Sequence, residues 1–517
     1  MRGRIAGVTA LATAALLLVG ATPAHAAAWY RARTAHFVMY SDGDPKALRM
    51  LAQKAQKFET VLNDRYKAIF DPDTPPIDIY ILRSQENVAK LMGGSKTTAG
   101  FYKPDTEGSI ILSNREGASN ELDLDRDSTL FHEYTHYFML HNFVSAYPAW
   151  FTEGFAELLA TVEFPAKGGY EIGRPPKYRA YGLFMSTPVP ITSILGESSF
   201  SGNAEQLDFR YGRSWLLTHM LVVGTNRKGQ MDAYLNLLNT GTALPEAAQQ
   251  AFGDLAQLDK DLDKYRSGRL TYYRFDMPAS DAPEPAIEQL DAVEAQLIPY
   301  RLMRRAGDDA ASAVEPLALI AQANPTSASA WFEFARAATV TADEASDSGA
   351  KAALRQRAAD ALDRVLALDP THVRALLYKA EAQAEHLHFI GNNDPARWKE
   401  VGTLLRRANA GNPNDPLVLY QWYRNFGLRR EAPPQNARDA LARAFQLAPD
   451  VTDIRVAYAF DLARHDDFTN ALAVVRPIAF DPHNAQAGIS VLLSLREMQK
   501  HRDQEKKDGK ASVNAAH

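Results

Sequence analysis

Residues 131–136 read FHEYTH, an H-E-x-x-H motif inside an apolar run that predicts a helix. On a helix, side chains four positions apart lie on one face, one above the other. The imidazoles of His132 and His136 can therefore reach one metal ion, with the carboxylate of Glu133 beside them. The pattern predicts a metal centre that has an acid–base group next to it.

A third metal ligand is expected on a second helix, because a catalytic zinc ion keeps three protein ligands and one open position. The segment PAWFTEGFAE at residues 148–157 supplies Glu153 and Glu157, which also lie four positions apart. Sixteen residues, 137–152, separate His136 from Glu153, which is enough for one helix to end and another to return. We expect Glu153 to bind the metal, and Glu157 to accept the second ring N–H of a ligating histidine.

The composition excludes several other kinds of site. The 517 residues contain no cysteine, so disulfides, thiolate catalysis and cysteine-ligated zinc are excluded. The formal net charge of −5 gives no reason to expect a nucleic-acid partner. Hydrophobic residues make up 46% of the chain and charged residues 23%, which indicates an ordinary globular protein, long enough for two or more domains.

The first 26 residues have the pattern of a secretory signal peptide. Arg2 and Arg4 form a positive start, residues 8–20 are apolar, and Ala-His-Ala at 24–26 is typical of a cleavage site. The apolar run is short for a membrane anchor, and no later stretch is long and apolar enough to span a bilayer. We expect the mature chain to begin near Ala27 and to be periplasmic or extracellular, with no membrane span after cleavage.

Short strands precede the motif and helices dominate after it. Residues 36–41 and 77–82 are rich in β-branched and aromatic side chains and predict strands. The span 165–190 holds five prolines and four glycines and predicts a long loop. We therefore expect residues 27–127 to form the α/β part of one domain and residues 128–275 its helical, metal-binding part.

The part of the chain from residue 276 onward predicts a separate helical region. Residues 276–285 contain three prolines and are typical of a linker. Residues 286–497 are rich in Ala, Leu and Arg and predict helices separated by prolines, at a spacing compatible with tetratricopeptide-like repeats. Residues 498–517 are charged, nearly lack large apolar side chains, and predict a disordered tail. The separating prolines are Pro325, Pro370, Pro413, Pro449 and Pro482.

The two metal-binding segments together resemble the gluzincin metallopeptidases. H-E-x-x-H followed by W-F-T-E-G-F-A-E is similar to the aminopeptidase N branch, which carries W-L-N-E-G-F-A, and to thermolysin with its E-x-x-x-D segment. The resemblance implies one Zn2+ ion per chain, with His132, His136 and Glu153 as its ligands. It also implies that Glu133 is the general base and that Glu157 is the acid that supports a ligand.

A further segment indicates an oxyanion donor. RYGRSWLLTHML at residues 210–221 is similar to the helix of aminopeptidase N relatives that begins with the tyrosine stabilising the oxyanion. The resemblance implies that Tyr211 is a catalytic phenol donor. His219 is a weaker candidate for this donor, and Tyr181 is weaker still. A tyrosine at the start of a helix can also be an ordinary core residue.

The chain departs from aminopeptidase N upstream of the motif. That family binds the free amine of its substrate with a G-x-M-E-N segment, whereas residues 99–103 read AGFYK and have no glutamate at the matching place. We therefore expect an endopeptidase rather than an aminopeptidase, with the strand pair around residues 100–112 holding an extended peptide. The closer resemblance is to bacterial peptidase MA-like domains, often joined to tetratricopeptide repeats. It implies an α+β zincin-type domain followed by an all-α tetratricopeptide-like solenoid.

Two functional hypotheses follow from these features. The first is an exported zinc metallopeptidase that acts on a peptide or protein substrate, with repeats that bind a protein partner or the substrate. The alternative is a tetratricopeptide-like scaffold whose metal site is structural or vestigial. Glu133 argues against the scaffold, since a structural zinc ion needs no base. A zinc hydrolase for a non-peptide amide stays open.

Overall fold

The structure is a computed structural model that describes residues 28–514, apart from 69, 94–97, 118–119, 121, 308 and 483–484. Side chains are described as far as residue 508. The predicted signal peptide lies outside the described residues. The described part is rich in helix and contains a small mixed sheet, which is compatible with an α+β region followed by a helical region.

Six strands form the main sheet, in the order β4-β5-β3-β2-β1-β8. The pairs β2–β3 and β3–β5 are parallel, and the pairs β1–β2, β1–β8 and β4–β5 are antiparallel. Strands β6 and β7 pair separately. The strands are β1 Tyr30–Arg33, β2 Phe37–Ser41, β3 Ile77–Leu82, β4 Phe101–Lys103, β5 Ile110–Asn114, β6 Tyr170–Ile172, β7 Tyr273–Phe275 and β8 Ala286–Gln289.

Helices connect these strands and continue beyond them. None of the described helices is both long and apolar enough to cross a membrane. Before β8 they are α1 Pro45–Tyr66, α2 Gln85–Leu91, α3 Arg126–Asn142, α4 Ala149–Ala160, α5 Ala180–Met185, α6 Ile191–Gly196, α7 Ala204–Val222, α8 Gln230–Asn239, α9 Leu244–Phe252 and α10 Leu255–Arg266. After β8 they are α11 Ala292–Arg305, α12 Ala310–Ala323, α13 Ala328–Glu344, α14 Ser348–Leu368, α15 Val373–Phe389, α16 Pro395–Gly411, α17 Pro416–Leu428, α18 Gln435–Leu447, α19 Thr452–Arg464, α20 Phe468–Ala479 and α21 Ala485–Asn514.

Apolar cores lie on both faces of the main sheet. Successive side chains of a strand point to opposite faces, so Met39 and Ile79 join a core with α1 and α3. Tyr40 and Tyr80 stack at 4.9 Å on the other face, in a core completed by α2 and α11. The sheet therefore fixes α3, the motif helix, from one side.

The boundary of the helical region differs from the prediction. Residues 276–285 are irregular, as expected of a linker, but β8 follows them and completes the edge of the sheet beside β1. Ile298 of α11 belongs to the core on the sheet, whereas Leu297 belongs to the core of the helical region. The predicted start of the repeats at 286 is wrong. Residues 286–289 form a strand that pairs with β1, and α11 packs in both the core on the sheet and the core of the helical region.

The five prolines that were predicted to separate helices each lie between two consecutive helices. They separate α12 from α13, α14 from α15, α16 from α17, α18 from α19 and α20 from α21. Within each interval two helices pack against each other, from α13 with α14 to α19 with α20. The proline spacing therefore predicted the division of this region into helix pairs.

The tail predicted to be disordered is helical as far as it is described. α21 continues to Asn514, in a stretch rich in the helix-forming residues Lys, Glu, Gln and Arg. Arg502 pairs with Asp466 at 2.9 Å and with Glu505, three residues on, at 3.2 Å. These contacts, with ion pairs at helical spacing, oppose the disorder that the low apolar content predicts.

Candidate metal centre

The helix α3 buries one face and turns its other face to a cavity. Phe131 stacks on Phe58 at 4.1 Å, and the Tyr134 hydroxyl donates to Glu59 Oε1 at 2.6 Å, which fixes α3 against α1. His132 and His136 lie on the opposite side and line the cavity. The spacing in the motif therefore separates the packing residues from the candidate ligands.

The N-terminal cap of α3 is a side chain that precedes the motif by seven residues. Asp125 is the capping residue and accepts a hydrogen bond from the backbone N–H of Ser128 at 2.7 Å. Asp127 instead pairs with Lys54 of α1. The helix therefore begins at Arg126, six residues before His132.

Three donor atoms converge on one point. His136 Nε2 lies 3.1 Å from His132 Nε2, and Glu153 Oε2 lies 3.4 Å and 3.7 Å from the Nε2 atoms of His132 and His136. Three ligands about 2.1 Å from a tetrahedral zinc ion are themselves about 3.4 Å apart. The triangle thus fits such an ion, and the three residues could hold one. The predicted trio is brought together by α3 and α4.

The electrostatics of the site also favour a cation. Glu153 is completely buried, and its carboxylate faces both imidazoles. Burial lowers the pKa of His132, but the hydrogen bond to Glu153 and the surrounding carboxylates outweigh it, so the pKa is raised. A buried carboxylate is costly unless a positive charge compensates it. A divalent ion between these three side chains would supply that compensation.

Glu157 lies where the sequence predicted a supporting acid. Its Oε1 is 3.5 Å from Nδ1 of His132, the ring nitrogen that points away from the other candidate ligands. The Tyr178 hydroxyl donates to Glu157 Oε2 at 2.9 Å, and Arg179 Nη2 donates to Oε1 at 2.6 Å. Arg179 is held in turn by Asp208 at 2.8 Å. Glu157 is thus fixed in position to orient the imidazole of His132.

The sequence pattern did not indicate Tyr178 and Arg179, which lie in the span 165–190 that predicted a loop. That span contains β6, a 3-10 turn at Lys177–Arg179 and α5, so the loop prediction was wrong for these parts. The sequence could have indicated Arg179 in one way. Glu157 is a second buried glutamate next to the ligands, and a buried carboxylate needs a positively charged partner such as arginine. The prolines and glycines of residues 165–190 predicted a loop, so Tyr178 and Arg179 were not identified as partners of Glu157.

Glu133 lies against the strand that borders the cavity. A Cβ atom built on Gly100 would come within 2.8 Å of Glu133 Cγ and 2.6 Å of Thr129 Cγ2. Gly100 precedes β4, so the absence of a side chain there lets the strand approach α3 and leaves room for the Glu133 side chain. The general-base candidate is therefore held between the motif helix and the edge of the sheet.

Tyr211 faces the same cavity from α7. Its ring centroid is 6.4 Å from that of His132, and the Arg179 guanidinium carbon lies 4.9 Å from the Tyr211 ring centroid. Burial, reinforced by the charge of Glu153, raises the pKa of Tyr211 well above its ordinary value. The phenol therefore keeps its proton and can act as a hydrogen-bond donor.

The two alternatives to Tyr211 do not reach the site. His219 is buried elsewhere, where its ring nitrogens lie 2.8 Å from the Tyr265 hydroxyl and 2.9 Å from the Gly173 carbonyl oxygen. Tyr181 is 62% exposed on α5. Neither lines the cavity of about 1370 Å3 above the cluster, whereas Tyr211 and Glu133 do.

Comparison with known proteins adds no identification. No family model matches the chain, and no curated protein matches its sequence. The interpretation of the site therefore depends on its geometry and on the resemblance of its motifs.

Proposed function

We propose that the chain is a zinc-dependent metallopeptidase of the gluzincin type. The observation that carries this proposal is the triangle of His132 Nε2, His136 Nε2 and Glu153 Oε2, which opens on a cavity also lined by Glu133 and Tyr211. A structural site has no use for a base and a protonated phenol beside its open position. Three ligands with an adjacent base and donor are typical of metal-assisted hydrolysis.

Each residue of the site has a separate role in amide hydrolysis. His132, His136 and Glu153 would hold the zinc ion, which would supply Lewis acidity to the carbonyl group that is attacked. Glu133 takes a proton from the attacking water and delivers it to the departing amine. The Tyr211 phenol donates a hydrogen bond to the oxyanion that forms on the attacked carbonyl. Glu157 keeps the imidazole of His132 oriented throughout.

The edge of the main sheet provides the binding surface for a peptide. β4 is a terminal strand of that sheet and borders α3, and residues 100–104 line the cavity. A terminal strand has unpaired backbone groups that an extended peptide can bind as an added strand. This arrangement, without a glutamate in residues 99–103 to bind a free amine, supports an endopeptidase.

The remaining assignments belong to the same proposal. The first region is a zincin-type domain, and the helix pairs after α11 are a tetratricopeptide-like solenoid, supported by the proline-separated pairs. The sequence of residues 1–26 supports export to the periplasm or the extracellular space. The solenoid is available for a protein partner or for the substrate itself.

Removal of the metal tests the proposal directly. We expect the purified protein to contain about one zinc ion per chain, by the ligand count. A chelator should remove zinc and peptidase activity together, and added Zn2+ should restore both. Elemental analysis with a peptide-cleavage assay on the same samples measures this. A stable protein that never contains zinc and never cleaves peptides would favour the scaffold hypothesis.

Replacement of Tyr211 tests the donor assignment. Tyr211→Phe removes only the hydroxyl, and we expect kcat/KM to fall roughly 10²-fold, the usual loss of one oxyanion donor. Zinc content should not change, because the phenol is not a ligand. Tyr181→Phe is the matched control, and its activity should equal that of the wild type. The opposite pattern, with Tyr181→Phe impaired, would refute the assignment.

A further inference from the structure

The cavity above the cluster is shared between the two regions of the chain. His132, Glu133 and His136 line it from α3, and β4 lines it from the sheet. The C-terminal helical region contributes part of the remaining wall, from the start of α19 and the end of α20 onward. These lining residues are Thr452, Pro477, Phe480, Asp481 and Pro482.

A buried carboxylate fixes this wall to the site. Asp450, which precedes α19, accepts a hydrogen bond from the Tyr102 hydroxyl at 3.0 Å and one from the Ser109 hydroxyl. His141 Nδ1 lies 3.2 Å from its other oxygen. Tyr102 is in β4, and His141 is in the last turn of α3. One aspartate therefore joins the helical region to both elements that border the cavity.

A buried arginine fixes the same contact from its other side. Arg455 is fully buried and donates to the backbone carbonyls of Pro449, Val474 and Leu140, at 2.6, 2.8 and 2.8 Å. Leu140 lies on α3, one turn beyond His136. A buried guanidinium without these acceptors would be costly, so these hydrogen bonds stabilise the contact between the helical region and α3. The helical region is a fixed part of the cavity wall.

The cavity is lined by charged and by apolar side chains. Glu157, Arg179 and Asp208 line it near His132. Apolar lining comes from Met139 and Leu140 on α3, Tyr147 before α4, and Pro477 and Phe480 from the helical region, where Asp481 also lines the cavity. Phe480 is half-buried and packs against the core of the first region. Met139, Tyr147 and Phe480 lie in or against the same apolar core, so both regions contribute to the apolar lining.

We propose that Phe480 and Pro477, with Met139 and Tyr147, form a specificity-determining subsite that takes a bulky apolar side chain of the peptide substrate. The inference rests on the proposed peptidase function and names a class of substrate for it. A concave apolar surface gains free energy by burying an apolar group. An extended peptide added to β4 projects alternate side chains to one face, so one of them can enter the subsite.

Cleavage profiles test the subsite. We compare the wild type with Phe480→Leu, Phe480→Ala and Phe426→Ala on a synthetic library of ten-residue peptides. Phe426 is the matched control, a half-buried ring of α17 that packs on Trp422 at 5.5 Å and does not line the cavity. For peptides with an aromatic residue or leucine at the preferred position, Phe480→Ala should lower kcat/KM roughly tenfold, mainly through KM. Phe480→Leu should change the preferred side chain while it preserves the packing.

Peptide capture gives a second readout that needs no catalysis. Zinc-loaded Glu133→Gln should retain peptides that carry a bulky apolar residue at one position, and addition of Phe480→Ala should remove that selectivity. Phe426→Ala in the same background should not. Identical profiles and identical capture for the Phe480 and Phe426 variants would overturn the subsite and leave the peptidase intact. Wild-type cleavage rates in Glu133→Gln, or no cleavage and no capture by any form, would overturn both.

Discussion

Glu133→Gln should retain about one zinc ion per chain and lose about 10⁴-fold in kcat, toward the upper end of what a general base contributes. The amide has nearly the shape of the carboxylate but cannot accept a proton from water. Glu133 is not among the three candidate ligands, so the metal should stay bound. Elemental analysis and a peptide-cleavage assay on one preparation separate the two effects.

Glu205→Gln is the control for the change in charge. Glu205 is exposed in the first turn of α7, and its replacement removes one negative charge without altering the cluster. We expect this variant to match the wild type in zinc content and in activity. Glu133→Gln with wild-type activity would refute the mechanism, and Glu133→Gln without zinc would show that Glu133 acts in metal binding.

The parts of the site that lie on regular helices were predictable from the sequence. The i and i+4 spacing brings His132 and His136 together, and the same spacing places Glu153 and Glu157 on one face. The connection between α3 and α4 is short, so the two helices must pack close to each other. Local periodicity and the residue types that bind zinc were sufficient for this half of the site.

The parts that depend on distant contacts were not predictable. Tyr178 and Arg179 reach Glu157 from a segment whose prolines and glycines hide its structure. β8 joins the sheet more than 250 residues after its partner β1. A strand of only four residues does not indicate in its sequence which strand it pairs with. Asp450 and Phe480 look like ordinary residues of a helical repeat. Only their three-dimensional neighbours show that they complete the cavity.

Gly154 allows the close approach of the two helices that place Glu153 and Tyr211. It is the residue after the ligand on α4, and a Cβ atom built there would lie 2.4 Å from the backbone oxygen of Ser214 and 2.4 Å from Thr218 Oγ1. Both atoms belong to α7, and the Ser214 oxygen is part of the backbone in the helix interior, which cannot yield locally. An ordinary van der Waals contact of a Cβ atom begins at 3.4 Å, so an alanine would push the helices roughly 1 Å apart.

Gly154→Ala should therefore lower the free energy of unfolding by about 3 kcal/mol, the upper part of the usual range for overpacking, and weaken zinc binding. Thermal unfolding of the metal-free protein measures the first effect without the contribution of bound zinc. Gly427→Ala is the control, because α17 leaves open space around that glycine and alanine favours helix. Its stability should be unchanged or slightly higher. Equal stability of the two variants would show that α4 and α7 can separate at little cost, and that Gly154 does not set their distance.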